Sequence, residues 1–343
     1  MTDTKSFTIS APLVRHQLLG AQAAGIDIDQ VLRKQELDPA LLHQPEGRIA
    51  VEKVVAMQRY CNGKLNDEVT GLLAKPLRLG HFRMMALCAV NAASLEEALE
   101  RCIAFYNLFE NSFYYRFERQ KGQARLWLEP IPDQPIQDPF AVDFLLSVFH
   151  RFIGWLGNHR IVLNQVKMAF PPPEYLKEYQ YTYYGAPVLF NQPLNGLSFD
   201  EGYLKHPVVQ NEAAVESYIR RAPLDLYLPV DAGGETTEAI RLLAQQIFKD
   251  TSGVPSLDEI ASALELTPQT LRRRLKCEGT SFHTIKAQLR RDIAIHHLGN
   301  AELSIEAIAE KAGYSEPSAF IRAFKSWTGF TPLQFRKGLE SKY

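Results

Sequence analysis

SLDEIASALELTPQTLRRRLKCEGTSF, residues 256–282, reads as two short helices joined by a tight turn. Ser256 is followed three residues later by Glu259, the spacing of a capping box, so a helix starts there with Ile260, Ala261 and Leu264 facing inward. It stops near Glu265. Thr267 and Pro268 then supply a fresh N-cap and a first-turn proline for a second helix through Lys276. Two short helices across a tight turn make a helix-turn-helix. The plan returns about 48 residues later around AGYSEPSAFIRAFKSWTGFTPLQFR (312–336). Here Ile308, Ala309 and Ala312 repeat the inward face, Gly313 the turn, Ser315 the N-cap, and a helix runs through Phe324 and Lys325. Between the copies, SFHTIKAQLRRDIAIHHLGN (281–300) is amphipathic and long enough to be a rigid spacer helix.

The formal net charge of the 343-residue chain is −1, but the average hides a local asymmetry. From Glu235 onward there are 15 basic and 13 acidic residues. Within Leu271–Arg291, Arg272, Arg273, Arg274, Lys276, Lys286, Arg290 and Arg291 face one acid, Glu278, giving +6. Three consecutive arginines fan over most of one side of a helix at ~100° per residue and cannot all point inward. A solvated charged face accounts for them alone; at the front of a second helix in a helix-turn-helix, they point to DNA, because arginine's planar fork grips guanine or phosphate. Phe320, Phe324, Trp327, Phe330 and Phe335 have the spacing of a small helical core rather than of base-stacking groups.

The rest of the chain is long enough for a further domain, and its 46% hydrophobic and 22% charged residues are those of a globular protein. Helical spacing in 49–61 and 95–109 gives way to alternation in SFYYRFER (112–119) and ARLWLE (124–129), a β-hairpin across QKGQ. A core helix follows over about 139–156. FLLSVFHRFIGWL (144–156) within it is too short for a membrane span and is broken by His150 and Arg151. Short strands are expected at 164–170, 187–190 and 196–199, and a helix over about 208–221. Pro223, Pro229, Gly233 and Gly234 mark a linker. The expected fold is an α+β N-terminal domain, helices around a small antiparallel sheet (1–222), a linker (223–234) and an all-α C-terminal domain with two helix-turn-helix units (235–343). Cys61, Cys88, Cys102 and Cys277 show no CxxC and read as buried thiols in a reducing compartment. The polar MTDTKSFTIS is no signal peptide, so a cytoplasmic protein is expected, with no membrane partner.

Residues 312–336 resemble the second unit of the DNA-binding domain in the AraC/XylS family of bacterial transcription regulators, which reads A-G-[FY]-S-E-P-S-x-F-x-R-x-F-K-x-W-x-G-x-[ST]-P-x-x-[FY]-R. The first unit matches T-P-x-T-L-x-R-R-L-K-x-E-G-T-S-F at Thr267–Phe282, and Glu265 departs from the family's turn glycine. GAPVLFNQPLNGLSFDEGYLKHPV (185–208) resembles, more loosely, the family's arabinose-binding-like effector domain. The resemblance implies a sequence-specific regulator with two recognition helices in successive major grooves about 34 Å apart. It also implies an activator that recruits RNA polymerase, often as a homodimer, with repression left open. By the same match Gln269, Arg272 and Arg273 contact base edges, Arg274 or Thr270 assists, and Pro317, Ser318 and Arg322 form the corresponding face, Ala319 and Phe320 turning to the core. With Arg322 the one strong donor, the second helix is expected to rely on phosphates, positioned by its N-terminus at Ser315.

GxSxG, GxGxxG, P-loop and HExxH motifs are absent. His296 and His297 diverge by ~100° on a helix, and Glu96, Glu97 and Glu100 read as a solvated face. No catalytic residue, metal or cofactor is expected. The alternative to a promoter-specific regulator is a non-specific DNA-binding or ligand-storage protein. A small-molecule effector, a partly apolar carboxylate or amino acid, is expected between the hairpin and the helices over it. Its candidate contacts are Phe82, Arg83, Tyr106, Tyr115, His150 and Trp155, bulky or charged groups with apolar neighbours. Arg83, in LGHFRMMALCAV, is expected to be a buried guanidinium in need of an anion.

Overall fold

The computed structural model describes residues 8–158, 161–183, 186–225, 255–278, 280–298, 302–328 and 331–340, with 236–237, 239–240 and 243–244. It divides into two compact units, Met1–Val230 and Asp231–Tyr343. The expected linker residues beyond Asp225 lie outside the described residues.

In the first unit two short strands, β1 (Thr8–Ser10) and β2 (Arg48–Ala50), pair antiparallel through Ile9 and Ile49. They were hidden in the sequence because each is followed at once by a helix, α1 (Ala11–Ala23) and α3 (Val51–Leu65), whose periodicity dominates. Between them α2 (Ile28–Lys34) is capped by Asp27, which accepts the Gln30 N–H at 2.9 Å. Beyond α3 come α4 (His81–Ala89) and α5 (Leu95–Asn107), the latter capped by Ser94.

The sheet corrects the expectation of a small antiparallel one: it has five strands and is mixed. β3 (Phe113–Gln120) and β4 (Gln123–Pro130) form the hairpin, closed by Lys121 and Gly122, both at positive φ as a two-residue turn that follows strand twist requires. The order is β3-β4-β7-β5-β6, with β5 (Leu163–Lys167), β6 (Val188–Leu189) and β7 (Asn195–Asp200). β5 and β6 run parallel, Val166 opposite Val188, because a crossover joins them rather than a hairpin. That crossover carries α7 (Tyr179–Thr182) and three tyrosines aimed at Asp143. The Tyr175, Tyr179 and Tyr183 hydroxyls donate to its carboxylate at 2.8, 2.6 and 3.2 Å. Burial pushes the Asp143 carboxyl up to about 7, against the pull of those three bonds.

Asp143 lies on α6 (Phe140–Leu156), the expected core helix, of which fifteen of seventeen residues are buried. Such a helix has no polar face because other elements cover all its sides. The last helix of the unit, α8 (Glu212–Asp225), runs through Pro223, where the sequence suggested a break. Of the cysteines, Cys61 and Cys102 are buried but Cys88 and Cys277 are exposed, contrary to expectation: each of the latter lies on the outer side of its helix. Among the described residues no helix is long and apolar enough to cross a membrane.

The second unit is helical: α9 (Leu257–Ala263), α10 (Pro268–Cys277), α11 (Phe282–Leu298), α12 (Ile305–Lys311), α13 (Pro317–Thr328) and α14 (Pro332–Glu340). It has two cores. Ile260, Ala261, Leu271, Leu275 and Ile285 belong to one; Ala294, Leu298, Ile308, Phe320, Phe324 and Phe335 to the other. α11 feeds both, Ile285 at its start and Ala294 and Leu298 at its end, so the spacer is also a shared wall. Trp327 packs against the second core, and Phe330 lies outside the described residues.

Candidate DNA-reading helices and effector cavity

The first helix-turn-helix is built by local side-chain capping. Ser256 and Glu259 form the reciprocal capping box at the head of α9. The turn closes by two backbone bonds, Glu265 N–H to the Ser262 carbonyl (3.1 Å) and Leu266 N–H to the Ala261 carbonyl (2.9 Å), a Schellman motif. The motif needs a left-handed residue, and Glu265 takes it at φ 55°. Thr267 Oγ1 then accepts the Thr270 N–H at 3.1 Å and Pro268 opens α10. The Thr270 hydroxyl lies 2.9 Å from Thr267 Oγ1, so this residue serves the cap before anything else.

Leu271 and Leu275 anchor α10 in the core, while Gln269, Arg272, Arg273, Arg274 and Lys276 are exposed. Among the described residues no hydrogen bond or ion pair engages the three arginines. The nearby acid in sequence, Glu278, turns the other way and accepts the backbone N–H groups of Thr236 (2.8 Å) and Thr237 (2.9 Å). Burial raises its pKa, but the side-chain hydrogen bonds of these threonines, among them the Thr237 hydroxyl at 2.6 Å, together with the backbone ones outweigh it and hold the carboxyl down at about 2. The basic patch is smaller than the sequence count of +6. Arg291 is buried at 4% exposure, and Arg290 donates to the Gly313 carbonyl at 2.8 Å with its guanidinium 4.6 Å from the Tyr314 ring. Both serve the framework of α11, and Lys286 is half-buried. The outward charge is therefore concentrated on α10.

The second unit repeats the turn with Gly313 at φ 79° and Tyr314 N–H on the Ala309 carbonyl at 2.9 Å. Its loop is one residue longer. Ser315 is not the N-cap: Pro317 takes the first helical position, as Pro268 does, so the cap position falls to Glu316, whose carbonyl accepts from Ala319 and Phe320. Ser318 and Arg322 are exposed, Pro317 and Ala319 half-buried, and Phe320 fully buried. Ile321, Lys325 and Ser326 share the exposed surface and were missed, although the spacing from Ser318 and Arg322 signals them.

The first unit holds a cavity of about 370 Å³ between α3, the 68–80 loop, the head of α4, α6 and α8. Its walls are mostly apolar, among them Phe82, Tyr106, Leu145, Val148 and Tyr218, with Gln58 and Glu68 as polar lining groups and Arg59 and Arg83 also at the site. The Glu68 carboxylate accepts Gly80 N–H at 2.8 Å and Phe82 N–H at 2.9 Å, which ties the loop to the start of α4. Burial lifts its carboxyl to about 7, these backbone bonds acting the other way.

The cavity does not lie under the hairpin as expected. Phe82, Arg83 and Tyr106 line it, whereas Tyr115, His150 and Trp155 are not among its lining residues. Tyr115 is buried between Tyr106 and Phe149, His150 Nε2 lies 2.8 Å from the Ile161 carbonyl, and Trp155 stacks on Tyr218 at 4.5 Å. Arg83 is not buried: its side chain is 46% exposed and pairs with Glu216 on α8, so the chain itself supplies the anion. Gln58 and Glu68 escaped the sequence reading because an amide on a helix and a carboxylate in the loop after it look like solvated surface.

Two profiles cover most of the chain: "Arabinose-binding domain of AraC transcription regulator, N-term" matches residues 25–208, and "Helix-turn-helix domain" matches 260–338. The chain is 23% identical over 317 residues to the ornithine utilization regulator of Pseudomonas aeruginosa, with 91% of each chain covered. It is 26% identical over 318 residues to the transcriptional regulator VirS of Mycobacterium tuberculosis, again 91% of each. The transcriptional regulator CdpR of Pseudomonas aeruginosa is a similar solved structure at 20% identity and a TM-score of 0.33, covering 90% of this chain and 96% of that one. With its arabinose-binding-type domain matched over more than half the chain and a helix-turn-helix domain behind it, the protein belongs to the AraC family of transcription regulators.

Proposed function

We propose that the protein is a promoter-specific activator that reads DNA through α10 and α13 and is controlled by a small molecule held in the cavity beneath α8. The observation that carries this reading is the row Arg272, Arg273 and Arg274, exposed and without a protein partner among the described residues. Other exposed arginines of this chain are paired with acids, as Arg101 is with Glu97 and Arg119 with Glu96. Leaving three guanidiniums unpaired keeps their donors for guanine edges and phosphates. Gln269, Arg272 and Arg273 take the base edges, Arg274 and Thr270 support them, and Ser318 and Arg322, with Pro317 at the helix start, hold the second groove mainly through the backbone. The partners are double-stranded promoter DNA, RNA polymerase and a second copy of the chain, all in the cytoplasm.

The cavity is suited to control because α8 closes it and is the last helix before the chain passes to the second unit. α8 is tied to the rest of its unit by Arg83–Glu216, by Arg59 donating to the Arg220 carbonyl at 2.7 Å and by Asn91 donating to Glu212 at 3.1 Å. A ligand seated under Tyr218 and Ile219 adds to these ties and shifts α8 between two populations. Binding titrated with salt against random competitor DNA tests the reading. A promoter-specific regulator retains a preference of ~10³-fold or more at physiological salt, and a non-specific binder loses it.

A further inference from the structure

The polar groups of the cavity have an imbalance that bears on what fills it. Asn62 is engaged on both side-chain atoms: its Nδ2 donates to the Glu68 backbone carbonyl at 3.2 Å and its Oδ1 accepts the Thr70 hydroxyl at 2.7 Å. Arg83 is paired with Glu216 and Arg59 with the Arg220 carbonyl. Two acceptors are left short of donors. Gln58 is 3% exposed, and its Oε1 is buried with no donor. Glu68 receives one N–H on each carboxylate oxygen, half of what a carboxylate accepts. A buried acceptor left without a donor costs free energy that a ligand donor recovers. A ligand carboxylate would offer neither oxygen a donor and would set its charge against Glu68.

We infer that the cavity binds a small apolar amine, its ammonium group held by the Glu68 carboxylate with Gln58 Oε1 as second acceptor, and its hydrocarbon body against Phe82, Tyr106, Val148 and Tyr218. This rests on the cavity being the effector site, and it replaces the acid expected from a buried Arg83. About 370 Å³ is at the small end for ligand pockets, which restricts the body to one ring or a short chain.

A pH dependence follows. The Glu68 carboxyl titrates at about 7, while an ammonium ligand needs its ionised form. Binding therefore expels a proton below that pH, and affinity falls by up to about tenfold per unit as pH drops beneath 7. The neighbouring groups do not reverse this. Asp67 is engaged by the N–H groups of Val69, Gly71 and Leu77, His81 is pushed down to about 4 by burial and stays neutral, and burial keeps the Tyr106 phenol protonated. Arg59 from α3 and the Arg83–Glu216 pair from α4 and α8 are the other charged groups at the site, and α6 lines the cavity with apolar groups.

The test uses the full-length chain, isothermal titration calorimetry and thermal shift, with 2-phenylethylamine, 2-phenylethanol and 3-phenylpropanoate as probes matched in shape. The amine is expected to bind and to raise Tm, with affinity falling below pH 7 and the acid showing no shift. Glu68→Gln should weaken the amine by roughly ten- to hundredfold and abolish its pH dependence. Val148→Trp, which fills the cavity, should abolish binding. If the acid or the alcohol binds, the amine does not, and Val148→Trp removes the binding, the cavity stands as the effector site and the amine is wrong. If no probe binds, or binding is unchanged by Val148→Trp, the cavity reading falls and the amine with it. Should Glu68→Gln not fold, the wild-type pH titration decides: amine affinity that is flat through pH 7 overturns the role of Glu68.

Discussion

In the first helix-turn-helix, α10 sends Arg272, Arg273, Arg274 and Lys276 into solvent and keeps two leucines inside; in the second, α13 exposes Ser318, Ile321, Arg322 and Lys325 over a core of phenylalanines. The turns differ in the same sense. Glu265 occupies a left-handed position that costs a side-chain residue ~1–2 kcal/mol, whereas Gly313 occupies its counterpart freely. One unit concentrates charge on an imperfect turn; the other concentrates packing behind a relaxed one. The repeat therefore conserves a way of building, while in the proposed function the two copies divide the work of reading and of anchoring.

The largest effect that bears on this division comes from the core. Phe324 is fully buried, 5.6 Å from Phe320 and 5.3 Å from Phe335 ring to ring, and Phe324→Ala removes ~3–5 kcal/mol of packing. The two cores are separate clusters, so the loss should stay local. Footprinting is expected to show the second half-site unprotected and the first retained, and Leu271→Ala the reverse. Loss of both half-sites from either variant would mean that α11 fuses the units into one cooperative body.

Next come the arginines. Arg273→Ala should weaken specific binding by roughly ten- to hundredfold and relax preference at one or two base pairs. Arg322→Ala should weaken all sequences alike and lower the salt slope by about one. A footprint of Arg322→Ala that lost the first half-site alone would contradict the anchoring role of α13.

How much of this was readable in advance depends on the range of the interactions. Ser256, Glu259, Thr267 and Pro268 act within four residues of themselves, so the start of each helix in the first helix-turn-helix was legible to the residue. Ser315 was misjudged because the one-residue extension of the second loop moves the cap to Glu316, and only the pairing of Pro317 with Pro268 as helix openers reveals it. The fates of Arg290 and Glu278 depend on partners such as Gly313 and Thr236, more than twenty residues away, so a count of charge overstated the patch. The cavity was the least legible part. Gln58, Glu68, Phe82, Val148 and Tyr218 come from five distant segments, and Arg83 looked buried because its partner Glu216 lies 133 residues on.

The turn residues offer a smaller and paired test. A Cβ added at Gly313 would meet the Arg290 guanidinium at 3.5 Å, an ordinary contact, so the cost of Gly313→Ala is the backbone angle, ~1–2 kcal/mol. Glu265→Gly relieves the same strain, offset in part by glycine's freedom in the unfolded chain, and should gain up to ~1 kcal/mol. Chemical denaturation reads both. Equal signs for the two substitutions would show that the turns are not equivalent.

The smallest expected effect belongs to Glu278, and its sign is fixed by linkage. In the folded chain burial pushes its carboxyl up, but side-chain and backbone hydrogen bonds from Thr236 and Thr237 outweigh it and hold the carboxyl at about 2, below the ordinary 4.5. Between those values the unfolded chain binds the extra proton, so the contribution is complete above about pH 4.5 and is lost as pH falls towards 2. The carboxylate is only partly buried, so screening by water keeps the contribution small. Asp143 shifts the other way, its folded carboxyl being raised, and for that reason the informative quantity is the difference between wild type and Glu278→Gln, in which Asp143 cancels. That difference should favour wild type at neutral pH and shrink through the acid window as Tm is followed downward. A difference that stayed constant would assign the Thr236 and Thr237 bonds to hydrogen bonding alone, with no share for the charge that keeps Glu278 turned away from the arginines.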